Sequence, residues 1–299
     1  MQSVWLRAIR VRFLLASVIA VSLGLSIAWW QNQSIDIFHA FLTYVGVISL
    51  HASIDLLNDY WDYKRGIDTQ TKRTKYSGGT GVLPEGLLEP RSMYKMGIAF
   101  LIIGTAIGGY FVYVGGIIIA IILAFAVLSI YFYSTKIVDS GLGELFVAIK
   151  GTMIVLGSYF VQTSQVAVEP ILGGIVLGIL SALVLFITSF PDFDADKSKG
   201  RRTLVILLGK KKAASALWIF PAICYGVIAI SVILQIIPIF ALLTLLTIPL
   251  MIKATRGLKR SFDNVEKLVP VMTSCISYSR ITGALLILGF VVPGFMLIS

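Results

Sequence analysis

Two short acidic segments contain the side chains best suited to chemistry. The first holds Asn58, Asp59 and Asp62 at the end of a long apolar run, and the second holds Asp192 and Asp196 at the end of another. On a helix, residues four apart share a face, so Asn58 lies beside Asp62 and Asp192 lies beside Asp196. Each segment therefore predicts an oxygen-rich stripe where a helix ends.

The chemistry that such stripes favour is the binding of a hard metal ion. Closely spaced carboxylates repel one another and resist desolvation, so a cation is expected between them. Oxygen ligands without nearby His or Cys favour Mg²⁺ over Ca²⁺ or a transition metal, and Mg²⁺ commonly completes its shell with phosphate oxygens. A diphosphate that bridges the two segments would supply those oxygens. The alternative is that these acids are solvated helix ends paired with neighbouring Lys and Arg.

Basic residues close to both segments are candidates to bind the remaining phosphate charge. They are Lys64, Arg65, Lys136, Lys197, Lys199, Arg201 and Arg202. Lys150 differs from them because it lies in the middle of an apolar run. A Lys at that depth is expected either to be functional or to pair with Glu144 or Asp139.

The composition places most of the chain in lipid. Its 299 residues are 57% hydrophobic and 13% charged, with a mean hydropathy of +0.91. These ionisable groups are too few to cover a soluble globule of this size. The net charge of +10 clusters between the apolar runs, so it indicates membrane topology rather than nucleic-acid binding.

Nine apolar runs are long enough to cross a bilayer, which takes about 20 residues. They lie near residues 13–30, 38–57, 95–113, 115–134, 142–162, 170–190, 213–233, 236–253 and 278–298. The predicted fold class is therefore all-α, a polytopic membrane protein with nine transmembrane helices in a single domain over residues 1–299. Short Gly- or Pro-containing turns at 114–116 and 235–238 must reverse the chain.

The distribution of basic residues predicts the orientation of these helices. With the N-terminus in the cytoplasm, every Lys and Arg except Lys150 falls in or beside an inner segment. The predicted outer links contain none. Because cytoplasmic loops are the ones enriched in Lys and Arg, this arrangement is self-consistent. We therefore expect both acidic segments and their loops to face the cytoplasm.

The two acidic segments and the loops that follow them occupy residues 55–94 and 191–212. Four helices separate the two loops, so helices one to four and five to eight could form a tandem repeat, with helix nine added. The glycines at 78, 79 and 81 make the first loop a candidate lid over a bound diphosphate. The alternative is that they only form turns.

The acidic segments resemble the motifs of the UbiA superfamily of intramembrane prenyltransferases. Those motifs are NDxxDxxxD on helix two and DxxxD on helix six. Asn58, Asp59 and Asp62 match the first, and Asp192 and Asp196 match the second.

One position departs from the first motif. Its last acid falls on Gly66, and the nearest acid is Asp68. Together with the glycine-containing segment 77–82, this order looks like the menaquinone-synthesis branch, the 1,4-dihydroxy-2-naphthoate polyprenyltransferases.

The resemblance implies Mg²⁺-dependent transfer of a polyprenyl group from an isoprenyl diphosphate to an acceptor. The first acceptor is aromatic, 1,4-dihydroxy-2-naphthoate. The second is a lipid, geranylgeranylglyceryl phosphate, as in archaeal ether-lipid synthesis. Membrane lipid would surround the apolar prenyl chain, and the oligomeric state stays open.

The resemblance also implies roles for individual residues. Mg²⁺ would be held by Asn58, Asp62, Asp192 and Asp196. The substrate would contact Lys64, Arg65, Lys136, Tyr133, Lys197 and Arg201. The aromatic ring that faces the allylic cation is left open among Tyr60, Tyr131, Tyr133 and Tyr159. Lys136 is the preferred diphosphate contact, and either Asp59 or Asp68 would orient the acceptor or accept its proton.

Two other protein classes compete with this interpretation. A secondary transporter also carries intramembrane carboxylates, but they are expected near the bilayer midplane, whereas these acids lie at helix ends. A phosphatidyl-transfer enzyme of the CDP-alcohol type also uses membrane carboxylates, but its Asp-Gly-x-x-Ala-Arg element is absent from both segments.

Overall fold

The computed structural model describes residues 4–296, and within them the fold is a bundle of nine helices long and apolar enough to span a membrane. In chain order these are α1 (Val11–Asn32), α2 (Ile37–Lys64), α3 (Pro90–Gly115), α4 (Ile117–Ser140), α5 (Gly143–Thr163), α6 (Val168–Ser198), α7 (Lys210–Ile233), α8 (Ile239–Ser261) and α9 (Val265–Met296). The described part contains no strand. The predicted all-α fold with nine spans is confirmed.

The two helices that carry the acidic segments extend further than their apolar runs predicted. α2 continues to Lys64 and α6 to Ser198, so both acidic segments are helical throughout. A helix satisfies its own backbone hydrogen bonds and can therefore carry polar residues out of the hydrocarbon without a break. α6 even continues through Pro191, which directly precedes Asp192.

The ninth helix begins at Val265, well before the predicted start at 278. Its additional turns bury Leu268, Met272 and Cys275 in the main core, where α9 packs against α8. Glu266 and Lys267 near the start of this stretch, and Arg280 just beyond it, interrupt the apolar pattern that predicts a span. The last predicted positions, 297 and 298, lie outside the described residues.

Three of the spans, α4, α7 and α8, are not regular α-helix along their whole length. α7 is interrupted by a turn at Leu217 and Trp218. α4 changes at Tyr133 into one π-helical turn that ends at Ile137, followed by a short 3₁₀ turn. α8 begins as the 3₁₀ helix Ile239–Thr247. A π-helical turn carries an extra residue and often lies at a functional site. Here it occurs beside the first acidic segment.

Small residues allow α5 and α6 to pack closely. A Cβ added at Gly178 would lie 2.1 Å from the Ala148 carbonyl oxygen, and one added at Gly151 would lie 2.7 Å from the Gly178 Cα. Membrane helices commonly use such small residues to bring their backbones together. This contact fixes α5 relative to the helix that carries the second acidic segment.

Candidate active site

A cavity of about 250 Å³ opens where α2 and α6 carry their acidic segments out of the bundle. Polar and charged residues of both segments line it, together with α1, α5, α9 and the loop after α2. The lining includes Asn58, Asp62, Asp68, Tyr133, Asp192, Asp196 and Arg201. The fold therefore brings the two acidic segments to one site.

Arg201 connects the two acidic segments directly. Its guanidinium donates to Asp62 of α2 and, at 3.0 Å, to Asp196 Oδ1 of α6. Burial lowers the pKa of Arg201, but Asp62 and Asp196 raise it by more, so its net pKa lies above the ordinary value. The guanidinium stays charged and offsets the repulsion between two nearly buried carboxylates.

Asn58 is oriented by two hydrogen bonds. Its Nδ2 donates to Asp62 Oδ2 at 3.1 Å, and Ser134 Oγ donates to its Oδ1 at 2.9 Å. Ser134 belongs to the π-helical turn of α4. That irregular turn therefore takes part in positioning the first segment.

Asp192 has one satisfied oxygen and one unsatisfied oxygen. The Gly78 backbone N–H donates to Oδ2 at 3.2 Å. The other oxygen, Oδ1, is buried without a hydrogen-bond partner among the described residues. A buried acceptor of this kind is costly unless a ligand satisfies it. It is therefore a marker of a binding position.

The donor set fits Mg²⁺ that arrives together with a phosphate ligand. Asn58, Asp62, Asp192 and Asp196 present only oxygen donors to the cavity. Within residues 4–296, no three His, Cys, Asp or Glu side chains are close enough to hold an ion by themselves.

Asp59 faces the loop rather than the cavity. It accepts hydrogen bonds from the Arg10 guanidinium, from the Thr80 hydroxyl and from the Thr80 backbone N–H, the last at 3.1 Å. It is only 2% exposed and is not part of the cavity lining. Arg10 itself has left-handed backbone, with φ +47°. Asp59 thus fastens the loop and the N-terminal segment to α2.

Asp68 lies in the loop and lines the cavity. Burial, together with the negative charges of Asp59 and Asp62, raises the pKa of its carboxyl to about 8. Its carboxylate packs against Gly79, where an added Cβ would lie 2.5 Å from Oδ2 and where φ is +68°. Only glycine suits that position.

The predicted substrate contacts divide into two groups. Tyr133 and Arg201 line the cavity. The others lie outside its lining: Lys64, Lys136 and Lys197 stand over the rings of Tyr60, Phe132 and Phe193, respectively. Their roles, like that of Asp59, remain predictions.

Arg65 forms a structural clamp. Its guanidinium donates to the carbonyl oxygens of Ser134 and Lys199 and to Asp139 Oδ1, each at 3.0 Å. These partners belong to the end of α4 and to the residues after α6. The side chain that directly follows α2 therefore holds the ends of three helices together.

Arg10, Arg280 and Ser17 line the cavity, but no site role is predicted for them from the sequence. The enrichment of cytoplasmic segments in Lys and Arg already accounts for the charges of Arg10 and Arg280. Their partners are distant in the chain: Arg280 donates to the Arg12 carbonyl oxygen at 2.5 Å. No local pattern reveals a contact of that kind.

A second, apolar cavity of about 130 Å³ adjoins the first. It lies between α2, α3, α4 and α5, and aliphatic and aromatic side chains form nearly all of its wall. Ser17, His51, Ile54, Lys150 and Ile154 line both cavities. A molecule with a polar head and an apolar tail could occupy both at once.

Comparison with known families decides the affiliation. The profile of the UbiA prenyltransferase family matches residues 17–276. The chain belongs to this family. It is therefore a prenyltransferase and, with nine apolar helices long enough to span a membrane among residues 4–296, an integral multi-pass membrane protein. The family resemblance of the acidic motifs is confirmed.

Two curated relatives of this UbiA prenyltransferase carry the same name, 1,4-dihydroxy-2-naphthoate octaprenyltransferase. The protein of Bacillus subtilis is 26% identical over 94% of this chain and 90% of its own length. The protein of Escherichia coli is 26% identical over 95% of this chain and 94% of its own length.

Solved structures share the fold. A UbiA homologue from Aeropyrum pernix has a TM-score of 0.68 at 18% identity, covering 92% of this chain and 97% of the other. A homologue from Archaeoglobus fulgidus, bound to GPP and Mg²⁺, has a TM-score of 0.64 at 18% identity, covering 95% and 99%. A digeranylgeranylglyceryl phosphate synthase has a TM-score of 0.61 at 21% identity, covering 98% of each chain.

Proposed function

We propose that this UbiA prenyltransferase transfers a polyprenyl group from an isoprenyl diphosphate to an aromatic acceptor such as 1,4-dihydroxy-2-naphthoate, and that it requires Mg²⁺. The observation that carries the proposal is the meeting of both acidic segments around Arg201, beside an apolar cavity. The curated relatives support the aromatic acceptor.

The polar cavity would hold the diphosphate. Asn58, Asp62, Asp192 and Asp196 would bind Mg²⁺, which neutralises the diphosphate and makes it a good leaving group. Arg201 and Arg10 line the same cavity and would bind phosphate oxygens that the metal leaves free. Asp192 Oδ1, which lacks a partner among the described residues, is the first oxygen we assign to the metal.

The apolar cavity would hold the prenyl chain. Its wall of aliphatic and aromatic side chains excludes water from the allylic carbon, where positive charge develops when the diphosphate departs. The Tyr133 ring lines the polar cavity and would stabilise that charge through its face.

Two acids receive different roles in this proposal. Asp68 lines the cavity and, in its ionised form, would accept the acceptor's proton. Asp59 would hold the loop over the cavity, because its oxygens are bonded to Arg10 and Thr80. In the orientation that the basic residues favour, this end of the bundle faces the cytoplasm.

The digeranylgeranylglyceryl phosphate synthase supports a second acceptor. Its structure covers 98% of this chain, so geranylgeranylglyceryl phosphate is the lipid alternative. Transfer to either acceptor uses the same isoprenyl diphosphate donor. An assay that compares the two acceptors directly therefore distinguishes the two proposals.

The test is a transfer assay with purified protein in detergent, Mg²⁺ and radiolabelled geranylgeranyl diphosphate. Each acceptor is supplied in turn, and labelled product is separated by chromatography. We expect prenylated naphthoate product, loss of product with EDTA, and no product with Asp62→Ala or Asp192→Ala. Asp263→Ala, at an exposed acid between α8 and α9, is the matched control. Folded protein that prenylates neither acceptor would refute the proposal.

A further inference from the structure

Four polar side chains surround the junction of the two cavities. We call Ser17, His51, Asp55 and Lys150 the junction cluster. Ser17 Oγ and His51 Nδ1 share a hydrogen bond of 2.7 Å, and His51 Nε2 lies 3.8 Å from Asp55 Oδ2. All four belong to membrane-spanning helices, where polar groups are expensive and are commonly functional.

Lys150 has unused hydrogen-bonding capacity. Its ammonium interacts electrostatically with Asp55, but no hydrogen bond or ion pair to it is formed among residues 4–296. An ammonium group has three hydrogen-bond donors and no acceptor, so an oxygen atom of a ligand can accept a hydrogen bond from it. It faces both cavities rather than the lipid.

Asp55, in contrast, lacks a hydrogen-bond donor for one of its carboxylate oxygens among residues 4–296. Its Oδ2 is buried and has no hydrogen-bond partner within the described chain. A buried carboxylate oxygen without a donor is costly. The junction cluster therefore presents unused donors from Lys150 and an unused acceptor from Asp55. A ligand that satisfies both carries an oxygen acceptor for Lys150, most strongly an anionic one, and an O–H or N–H donor for Asp55.

The position of the cluster indicates which substrate this ligand is. If the diphosphate lies in the polar cavity and the prenyl chain in the apolar one, the reacting carbon lies at the junction between them. His51 and Lys150 line both cavities there. The acceptor must approach that same carbon. The apolar cavity is then filled by the donor's own chain, which favours a compact acceptor over one with a long tail.

We infer that the junction cluster binds the acceptor, and that the acceptor is a hydroxylated aromatic carboxylate whose carboxylate pairs with Lys150 and whose hydroxyl donates to Asp55. The inference rests on the proposed function. It makes Lys150 the residue that selects an acidic acceptor. An aromatic ring without the acidic group leaves the ammonium unpaired.

A binding titration that needs no turnover tests the inference. The intrinsic fluorescence of 1,4-dihydroxy-2-naphthoate is followed as wild-type protein is added, and the titration is repeated with 1,4-dihydroxynaphthalene, which lacks the carboxylate. Lys150→Met should weaken carboxylate binding roughly 10- to 100-fold and leave binding of the carboxylate-free compound within about 2-fold, as expected for a lost charged hydrogen bond.

Three further proteins make the titration decisive. Lys150→Arg should restore most of the affinity, Lys150→Gln replaces Lys150→Met if that variant does not fold, and Lys253→Met removes an exposed lysine of α8 as the matched control. Equal effects on both compounds, or none on either, would overturn the inference. The transfer assay is run in parallel: wild-type protein that binds the carboxylate through Lys150 but transfers no prenyl group refutes the proposed function alone.

Discussion

Arg201 donates to Asp62 although 139 positions of the chain separate them. The same guanidinium bonds to Asp196, so a residue outside both acidic motifs joins them. Membrane helices lack a strong hydrophobic force between one another, and polar contacts of this kind therefore matter for their arrangement. Because this contact joins α2 to α6, the candidate active site also stabilises the helix bundle.

Removing Arg201 should cost both stability and activity. Arg201→Met leaves Asp62 and Asp196 buried without their cation, and breaking such an ion pair costs about 3–5 kcal/mol. We expect a lower Tm in EDTA, partly restored by Mg²⁺ with inorganic diphosphate, and at least about 100-fold lower kcat, equivalent to about 2.7 kcal/mol. Arg202→Met is the neighbouring control. An unchanged Tm would show that the bridge is not structural.

Weakening Asp59 should loosen the loop without changing the metal ligands. Asp59→Asn loses the charge that pairs with Arg10 while it keeps one acceptor for Thr80. We expect faster proteolysis between residues 65 and 89 and a lower kcat, with the apparent affinity for Mg²⁺ nearly unchanged. Asp263→Asn, at an exposed acid between α8 and α9 and outside the loop, is the control. A large loss of Mg²⁺ affinity in Asp59→Asn would instead make Asp59 a metal ligand.

The pH dependence of stability should report on Asp68. Burial raises the pKa of its carboxyl from 3.8 to about 8 in the folded protein. The folded state thus holds a proton that the unfolded chain releases, so the free energy of unfolding falls as pH rises through this interval and the loss is complete above about 8. Asp68→Asn should remove this dependence and stabilise the metal-free protein at pH 9. Parallel wild-type and variant curves between pH 5 and 9 would contradict it.

The close packing of α5 and α6 should not tolerate a larger residue. In Gly178→Ala, the new Cβ meets the Ala148 backbone, which cannot move independently of α5. We expect destabilisation of about 1–3 kcal/mol, measured by thermal unfolding in detergent, together with reduced transfer. Gly226→Ala is the matched control, because nothing lies within 4 Å of its added Cβ. Equal Tm values for both variants would argue against the tight contact.

The helices and the acidic motifs could be predicted because their signals are local. Each apolar run is long enough to identify a span by itself, and the spacing of Asn58 and Asp62 already implies a shared face. The early start of α9 could not be predicted, since charged residues interrupt its apolar pattern and packing against α8 decides it.

The contacts of individual charged residues could not be predicted from the sequence. Asp59 and Asp62 are neighbours in one motif, but Asp59 bonds to Arg10 and Thr80 whereas Asp62 bonds to Arg201. Only the folded positions of the loop and of the N-terminal segment decide this difference. The same is true of Lys136, whose π-helical turn has no sequence signature and points its ammonium over Phe132.

The three hydrogen bonds of Arg65 restrict the route by which a substrate can enter the protein. Because one guanidinium fastens the ends of α2 and α4 to the segment after α6, these ends move as a unit. Spreading them apart would require breaking all three bonds together. We therefore expect a long apolar substrate to enter laterally, between helices and directly from the surrounding lipid.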